Sequence, residues 1–486
     1  MNITTTEPLK NFVGGSWVAP AGDRYQTSYN PAHPEEEVSR FPRSEALDVD
    51  AAVQSASAAA VPWAQTPAHE RGHLLLRFAR LLDESKEELG RIITREMGKP
   101  LHESAGEVGR AAAEARFMAG ESTQPDGRTY PSERPGITCR TVYEPIGVTA
   151  CITPWNFPVV APVRKIAPAL TYGNTVVCKP ASATPWSSSY LFHLLERAGI
   201  PEGVANLVIG RGGNVGGALV DHRHVRGITF TGSSEVGTRV CERAARRLAR
   251  VQLELGGKNP ALVLNYDDLD GAAAEIVSAA LVCSGQRCTA LSRVIVLDSE
   301  ADALVERLID RVGRIEVGDG QVEGTTMGPL VSMDQFKRVC DYVRIGRASN
   351  AVLLAGGNPL VDDPETEGYY HEPTLFDHVD RASPLAQEEI FGPVLPVIRV
   401  HSVEEAIETA NETRYGLAAS VFTNDPALMQ LCADRIDAGM IHLNHGTASQ
   451  SHVPFGGHKD SGYGPYSIGP TCRDFFTLPK AVYTKW

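Results

Sequence analysis

The chain has no run of about 18 or more apolar residues, so a membrane-spanning helix is not expected. Met1 to Lys10 is polar and lacks the apolar core of an export signal. The nine cysteines are scattered, odd in number and without paired metal-ligand spacing. The expectation is a cytoplasmic protein with reduced thiols, most of them small buried hydrophobes, and no metal. Basic charge is in deficit: 46 Lys+Arg against 59 Asp+Glu leave a net −13. That argues against a nucleic-acid or anionic-membrane partner, although a local basic pocket stays open. Internal repeats and low-complexity tracts are absent as well. What remains is a globular composition, 42% hydrophobic and 22% charged, over 486 residues. That is too long for one core, so two or three domains are expected.

Residues 45 to 120 read as helical, through an Ala-rich stretch (Asp48 to Ala60) and apolar residues at helical spacing from Glu70 to Leu82, Glu87 to Met97 and Glu103 to Met118. Gln124-Pro125-Asp126-Gly127 is turn chemistry, and an extended ribbon follows to residue 145. From 146 short β-rich runs alternate with helices. Strands are expected at Gly147–Ile152, Asn174–Cys178, Ala205–Ile209, Gly227–Thr231 and Val251–Leu255, and helices at Val160–Tyr172, Pro185–Ala198 and Glu235–Ala249. Such alternation specifies a parallel, doubly wound α/β sheet. A second region, 257 to about 445, repeats it, with helices expected at Asn265–Gly285 and Ser299–Val312 around a strand Ser292–Leu297. Phe475 to Trp486 is β-like again and could pair with another chain's edge.

Four places carry chemistry. Cys288, in Ser284-Gly285-Gln286-Arg287-Cys288-Thr289, sits in a glycine-containing turn where a neighbouring Arg lowers a thiol's pKa; read alone, it could equally be a buried structural cysteine. Glu254 closes a parallel strand before Gly256-Gly257, at the end of the sheet where active sites lie, and could be a general base or a surface cap. Asn156, in Pro154-Trp155-Asn156-Phe157-Pro158, carries an amide able to donate to an oxyanion, or merely shapes a turn. Phe230-Thr231-Gly232-Ser233-Ser234-Glu235-Val236-Gly237 is a strand, a glycine turn and a helix start, a place for a pyrophosphate, yet not the three-glycine dinucleotide fingerprint.

Together these pieces resemble the aldehyde dehydrogenase superfamily. The likeness also covers Lys179-Pro180-Ala181, Glu388-Glu389-Ile390-Phe391-Gly392-Pro393 and Pro454-Phe455-Gly456-Gly457-His458-Lys459, in family order along nearly the whole chain. It implies the aldehyde dehydrogenase fold: a Rossmann-like parallel-sheet cofactor domain (1–121 and 146–255, returning at 447–467), an α/β catalytic domain (256–446), and a small β oligomerisation ribbon (122–145 and 468–486) that joins subunits into a homodimer or homotetramer. It implies that Cys288 attacks an aldehyde, that Asn156 and the Cys288 N–H hold the oxyanion, that hydride passes to a nicotinamide, and that Glu254 activates the water that hydrolyses the thioester. Lys165 supports Asn156 and the water. The implied cofactor residues are Ile152, Trp155, Lys179, Ser182, Arg211, Gly212, Thr231, Gly232, Ser233, Val236, Leu255, Gly256, Glu389 and Phe391. A non-catalytic relative would have lost Cys288 or Glu254, and a relative that passes its thioester to coenzyme A tends to lack the Glu254 base. Many relatives place a Glu beyond the Ser461-Gly462 pair as a proton relay. Tyr463-Gly464-Pro465-Tyr466-Ser467-Ile468-Gly469 has no carboxylate, which leaves the proton's route from Glu254 open.

Two finer expectations follow from the resemblance. NAD-preferring relatives carry a Glu where this chain has Ser182; with Lys179 and Arg211 the position suits a 2′-phosphate, so NADP is expected in preference to NAD. Phe157, Val160 and Arg164 share a helix face toward the substrate tunnel, with Arg287, Thr289, Thr447 and Ser449 around it. Arg164 is an Arg in succinic semialdehyde relatives too, their second Arg is Val282 here, and the stretch after Arg287 is similar to the 2-ketoglutaric semialdehyde branch. A small aldehyde with a carboxylate tail, held by Arg164 and Arg287, is the expected substrate. The alternatives are a broad-specificity enzyme for neutral or aromatic aldehydes, or structural uses of the two arginines, with Arg164 paired to an acid between subunits and Arg287 only tuning the Cys288 thiolate.

Overall fold

A computed structural model gives the fold and describes residues 7–124 and 126–486. The polar start Met1–Thr6 and Pro125 of the Gln124–Gly127 turn lie outside the described residues. Five parallel strands form the centre of an eight-stranded sheet, in the order Ala205–Leu207, Thr175–Lys179, Val148–Ile152, Val225–Thr231, Arg250–Glu254. Val148–Ile152 and Thr175–Lys179 are buried at every position, because helices cover both faces of the sheet. The chain builds outward from Val148–Ile152 in one direction, then returns to add Val225–Thr231 on its other side. That reversal opens a crevice at the carboxyl ends of these two strands, where Pro154–Phe157 and Thr231–Ser233 lie.

A second, seven-stranded sheet has six parallel strands: Thr374–Asp377, Val394–Val400, Leu291–Leu297, Asn259–Val263, Ala418–Phe422 and Met440–Leu443. Val352–Ala355 closes one edge antiparallel. A separate ribbon pairs Thr477–Lys485 with Ile137–Pro145 at nine successive positions, Thr477 opposite Pro145 through Lys485 opposite Ile137.

Three local expectations need correction. The helix expected at Asn265–Gly285 is Leu269–Leu281, capped by the Asp268 carboxylate on the Gly271 N–H. Beyond it Cys283, Ser284 and Gly285 all take left-handed backbone (φ 59°, 57° and 72°), so the chain turns back toward Cys288 instead of continuing as helix. The helix expected to reach Ala249 stops at Ala245. The first 44 residues, where no element was assigned, contribute Asn11–Val13 and Ser16–Val18 to the first sheet and a hairpin, Tyr25–Asn30 with His33–Pro42. At the far end, Gly462–Tyr463 rejoins the first sheet beside Arg250–Glu254.

Candidate active site

Glycines let three distant segments meet. A Cβ on Gly257 would stand 2.6 Å from the Cys288 carbonyl oxygen, and one on Gly256 would stand 2.4 Å from Glu389 Oε2. Only glycine admits the close approach of Gly257 to the Cys288 backbone. The Gly257 N–H donates to Glu389 Oε1 at 2.9 Å, and Asn259 Nδ2 donates to the carbonyls of Cys288 and Ala290 at 2.7 Å each. The strand end bearing Glu254, the Cys288 turn and Glu389 are therefore one assembly, facing a cavity of about 540 Å³.

Gln286 locks the turn that presents Cys288. Its side chain is fully buried, accepts from the Val331 N–H at 2.9 Å and donates to the Cys283 carbonyl at 3.1 Å. Asn156, 5% exposed, donates one amide N–H to the Gln286 carbonyl at 2.9 Å, leaving its second N–H for a ligand. The Asn156 carbonyl accepts from Lys99 Nζ at 2.9 Å, and Lys99 is ion-paired with Glu107 in full burial. Glu107 in turn accepts from the N–H groups of Val159 and Val160, at 2.8 and 3.0 Å, where helix Val160–Thr171 begins. Lys99 and Glu107 went unmarked in the sequence. On helix Leu101–Glu121 the residues Glu103, Glu107, Arg110 and Glu114 fall at 4-3-4 spacing, a charged stripe that reads as a solvated face; in the fold it faces inward.

Burial pushes the Cys288 thiol up to about 11. Arg287 pulls the other way, as its place in the sequence suggested, but desolvation outweighs it. Burial also pushes the Glu254 carboxyl up to about 7, against the pull of Lys165 and Arg164. Glu254 Oε2 has no hydrogen-bond partner among the described residues. Lys165 is fully buried, held down in pKa by desolvation, and donates to Thr229 Oγ1 at 3.0 Å. It stands behind the cavity wall and does not line it.

The expected cofactor residues divide into two groups. Trp155, Thr231, Gly232, Ser233, Leu255 and Gly256 border the cavity, as do Glu389 and Phe391. Phe391 has φ +62° and meets the Trp155 ring edge-on at 5.5 Å. Gln335 donates to the carbonyls of Ile390 and Phe391 (3.0 and 2.8 Å), and Arg338 to that of Glu389 (2.5 Å), fixing this strained segment. Neither residue was marked in the sequence. The others lie apart from the cavity: Ile152 in the core, Lys179 buried with Nζ on the Pro180 carbonyl at 2.5 Å, and Val236 exposed at the start of helix Ser234–Ala245. Ser182 Oγ donates to the Gly210 carbonyl at 3.2 Å, next to Arg211 and Gly212, which are exposed; Arg211 Nε donates to Gln26 Oε1 at 2.8 Å. The Ser233 hydroxyl caps that helix by accepting from the Val236 N–H.

Phe157, Val160, Arg164, Arg287, Thr289, Thr447 and Ser449 all border the same cavity. One expectation changes. Arg164 is clamped by both oxygens of Glu114, at 2.6 and 3.3 Å, and lies 4.5 Å over the Phe455 ring. Its partner is within the chain, and its charge is already matched. Arg287 donates to the Thr447 carbonyl at 2.6 Å and to the Thr447 hydroxyl, with a buried Nε left over. A further cavity residue, Arg110, donates to Ser449 Oγ at 2.6 Å. Arg110 and Arg287 have no carboxylate partner among the described residues.

The comparisons agree with this architecture. The aldehyde dehydrogenase family model matches residues 17–482. The chain is 41% identical over 485 residues, 99% of each protein, to the alpha-ketoglutaric semialdehyde dehydrogenase of Bacillus subtilis strain 168. It superposes with a TM-score of 0.96 on an aldehyde dehydrogenase of Bacillus cereus solved in complex with NAD⁺ (35% identity, 99% of this chain and 97% of that one). The same score relates it to an E. coli NADP-dependent enzyme (32% identity, 99% and 100%). No helix among the described residues is long and apolar enough to cross a membrane. With the crevice, the glycine seam and a match along almost its full length, the chain belongs to the aldehyde dehydrogenase family, oxidoreductases that oxidise aldehydes with NAD or NADP.

Proposed function

We propose that this chain oxidises a short semialdehyde, with a carboxylate at the end opposite the aldehyde, to the dicarboxylic acid. The observation that carries the reading is the pair of half-buried guanidiniums without carboxylate partners, Arg110 and Arg287, in the same cavity as Cys288. A charge partly withdrawn from water without a counter-ion is costly, and an anionic substrate tail supplies one. The similarity to an alpha-ketoglutaric semialdehyde dehydrogenase supports the same class. With its thiol proton passed to solvent, Cys288 Sγ adds to the aldehyde carbon, giving a thiohemiacetal oxyanion that accepts from Asn156 Nδ2 and the Cys288 N–H. Loss of hydride leaves a thioester on Cys288. Glu254 takes a proton from water, which adds to the thioester and releases the acid and the thiol.

The residues fit a nicotinamide dinucleotide. Glycines at 232 and 256 keep the floor clear where a Cβ would collide with the Phe230 ring or the Glu389 carboxylate, and the first-turn N–H groups of the 12-residue helix Ser234–Ala245 would meet a phosphate of the cofactor. Glu389 and Phe391, which border the cavity, would hold the ribose and nicotinamide end. The nicotinamide, when bound, supplies the hydride acceptor. For the adenosine end we favour NADP: Ser182 adds no negative charge beside Lys179, and its bond to Gly210 places it next to Arg211. The exposed edge strand Thr477–Lys485, with Leu478, Tyr483 and the following Trp486 largely in solvent, suits pairing into a homodimer or homotetramer. Nine unpaired cysteines suit a reducing, cytoplasmic setting.

Initial rates on a panel of carboxylated semialdehydes, neutral aldehydes of equal length and long apolar aldehydes, each with NAD⁺ and NADP⁺, test the proposal. The highest kcat/KM is expected for a carboxylated semialdehyde with NADP⁺. Preference for long apolar aldehydes overturns the substrate class, and strong NAD⁺ preference overturns the phosphate site.

A further inference from the structure

Beneath Glu254 runs a buried line of polar groups with a fixed direction. Gln252 precedes Glu254 by two residues on strand Arg250–Glu254, so both side chains leave the same face of the sheet about 7 Å apart. Thr229 is paired with Gln252 across the neighbouring strand, as Thr231 is with Glu254. Lys165 Nζ, Thr229 Oγ1 and Gln252 Oε1 form a chain with steps of 3.0 and 2.8 Å, and all three residues are at most 1% exposed. The far side of the Gln252 amide donates to the carbonyls of Pro465 and Tyr466, both at 3.1 Å. These carbonyls belong to the stretch Tyr463–Gly469, which contains no carboxylate.

The directions follow from donor and acceptor chemistry. Two carbonyls can only accept, so the Gln252 NH₂ must face them and its oxygen must face Thr229. The single hydroxyl hydrogen of Thr229 then goes to Gln252, and Thr229 can offer Lys165 only a lone pair. Lys165 must therefore donate. A hydroxyl free to rotate could instead donate to the lone pair of a neutral amine and stabilise it; this one cannot. The other groups facing Lys165 are Glu254 and Arg164 with the thiols of Cys151 and Cys178, and those facing Glu254 are Lys165, Arg164, Cys288 and Tyr466, together with the hydroxyl and N–H of Ser467.

We propose that Gln252 and Thr229 are positioning residues that hold Lys165 as a hydrogen-bond donor, which favours its ammonium over the neutral amine, beside Glu254, and thereby set the pH at which Glu254 is ionised. The inference rests on the reading of Glu254 as the base for thioester hydrolysis. Without the Gln252 oxygen, Thr229 is free to donate to a neutral Lys165. Glu254 then loses the cation beside it, its carboxyl rises further, and the ionised base appears only at higher pH.

The test is the pH profile of steady-state turnover beside that of the hydride burst, in the full-length enzyme. Gln252→Leu and Thr229→Val are each expected to move the acidic limb of turnover up by about one unit, the size of one hydrogen bond lost from a charged donor, and to leave the burst profile in place. The double variant should move it no further, and Thr229→Ser should restore the original limb. A limb that stays or falls in whichever of the two variants folds, or a burst profile that shifts equally, overturns the proposal. Glu254→Gln keeps the two readings separate: if that variant retains the acidic limb, the general-base reading has failed; if it loses the limb while Gln252→Leu and Thr229→Val leave it unmoved, only the positioning role has.

Discussion

The guanidinium of Arg164 lies 2.6 Å from the carboxylate of Glu114, with the two side chains 11% and 5% exposed. Removing one partner of such a pair strands the other charge in the interior, at about 3–5 kcal/mol. Arg164→Leu is therefore expected to lose stability of that order in denaturant unfolding, and the double variant Arg164→Leu/Glu114→Leu to recover most of it. A single variant as stable as the parent would show that Arg164 is free to bind a substrate tail.

Arg110 and Arg287 should behave differently. Arg110→Leu and Arg287→Leu are each expected to raise KM for a carboxylated semialdehyde by about 10- to 100-fold, from about 1.5–3 kcal/mol for a lost charged hydrogen bond. A neutral aldehyde of equal length should be nearly unaffected. Equal losses on both substrates would remove the tail-binding role.

Cys288→Ala should abolish oxidation and leave cofactor binding intact, and Glu254→Gln should give a hydride burst followed by slow turnover. The Glu254 carboxyl, raised to about 7 by burial, works as a base only when ionised, so turnover should fall about tenfold per unit as pH drops below 7. Stopped-flow absorbance at the nicotinamide band separates burst from turnover. Full steady-state activity in Cys288→Ala would refute covalent catalysis.

The Cys288 thiol, raised to about 11, is protonated in the free enzyme at neutral pH. Alkylation of the free enzyme at Cys288 should accelerate about tenfold per pH unit from 7 to 10, read by mass of the modified peptide. A rate that is flat above pH 7 would mean a thiol ionised by Arg287 after all.

Gly257→Ala tests the seam between the two motifs. Its Cβ would press on the Cys288 carbonyl oxygen at 2.6 Å, and backbone cannot yield as a flexible side chain does. The variant should fold with a loss of about 1–3 kcal/mol and lose most activity, with KM less affected than kcat. Parental kcat would show the Cys288 turn to be softer than its contacts imply.

The sequence by itself determined the α/β alternation and the parallel sheets, and it marked Cys288, Glu254 and Asn156 as the candidate reacting groups. Those features are local: apolar runs of period 2 or 3.6 specify strands and helices, and Cys288, Glu254 and Asn156 sit in short motifs whose glycines and prolines fix the backbone. Only the tertiary structure decided which charges were free. Arg110, Arg164 and Arg287 are alike in sequence, yet one is matched by Glu114 across two helices 50 residues apart and two are not. It also decided the sign of the Cys288 shift, because a neighbouring Arg is visible along the chain whereas desolvation is the sum of everything that packs around the thiol. The inward charged stripe of helix Leu101–Glu121 and the line from Lys165 to Gln252 belong to the same class. A polar residue's role depends on which partner reaches it, and partners from separate elements meet only when the chain has folded.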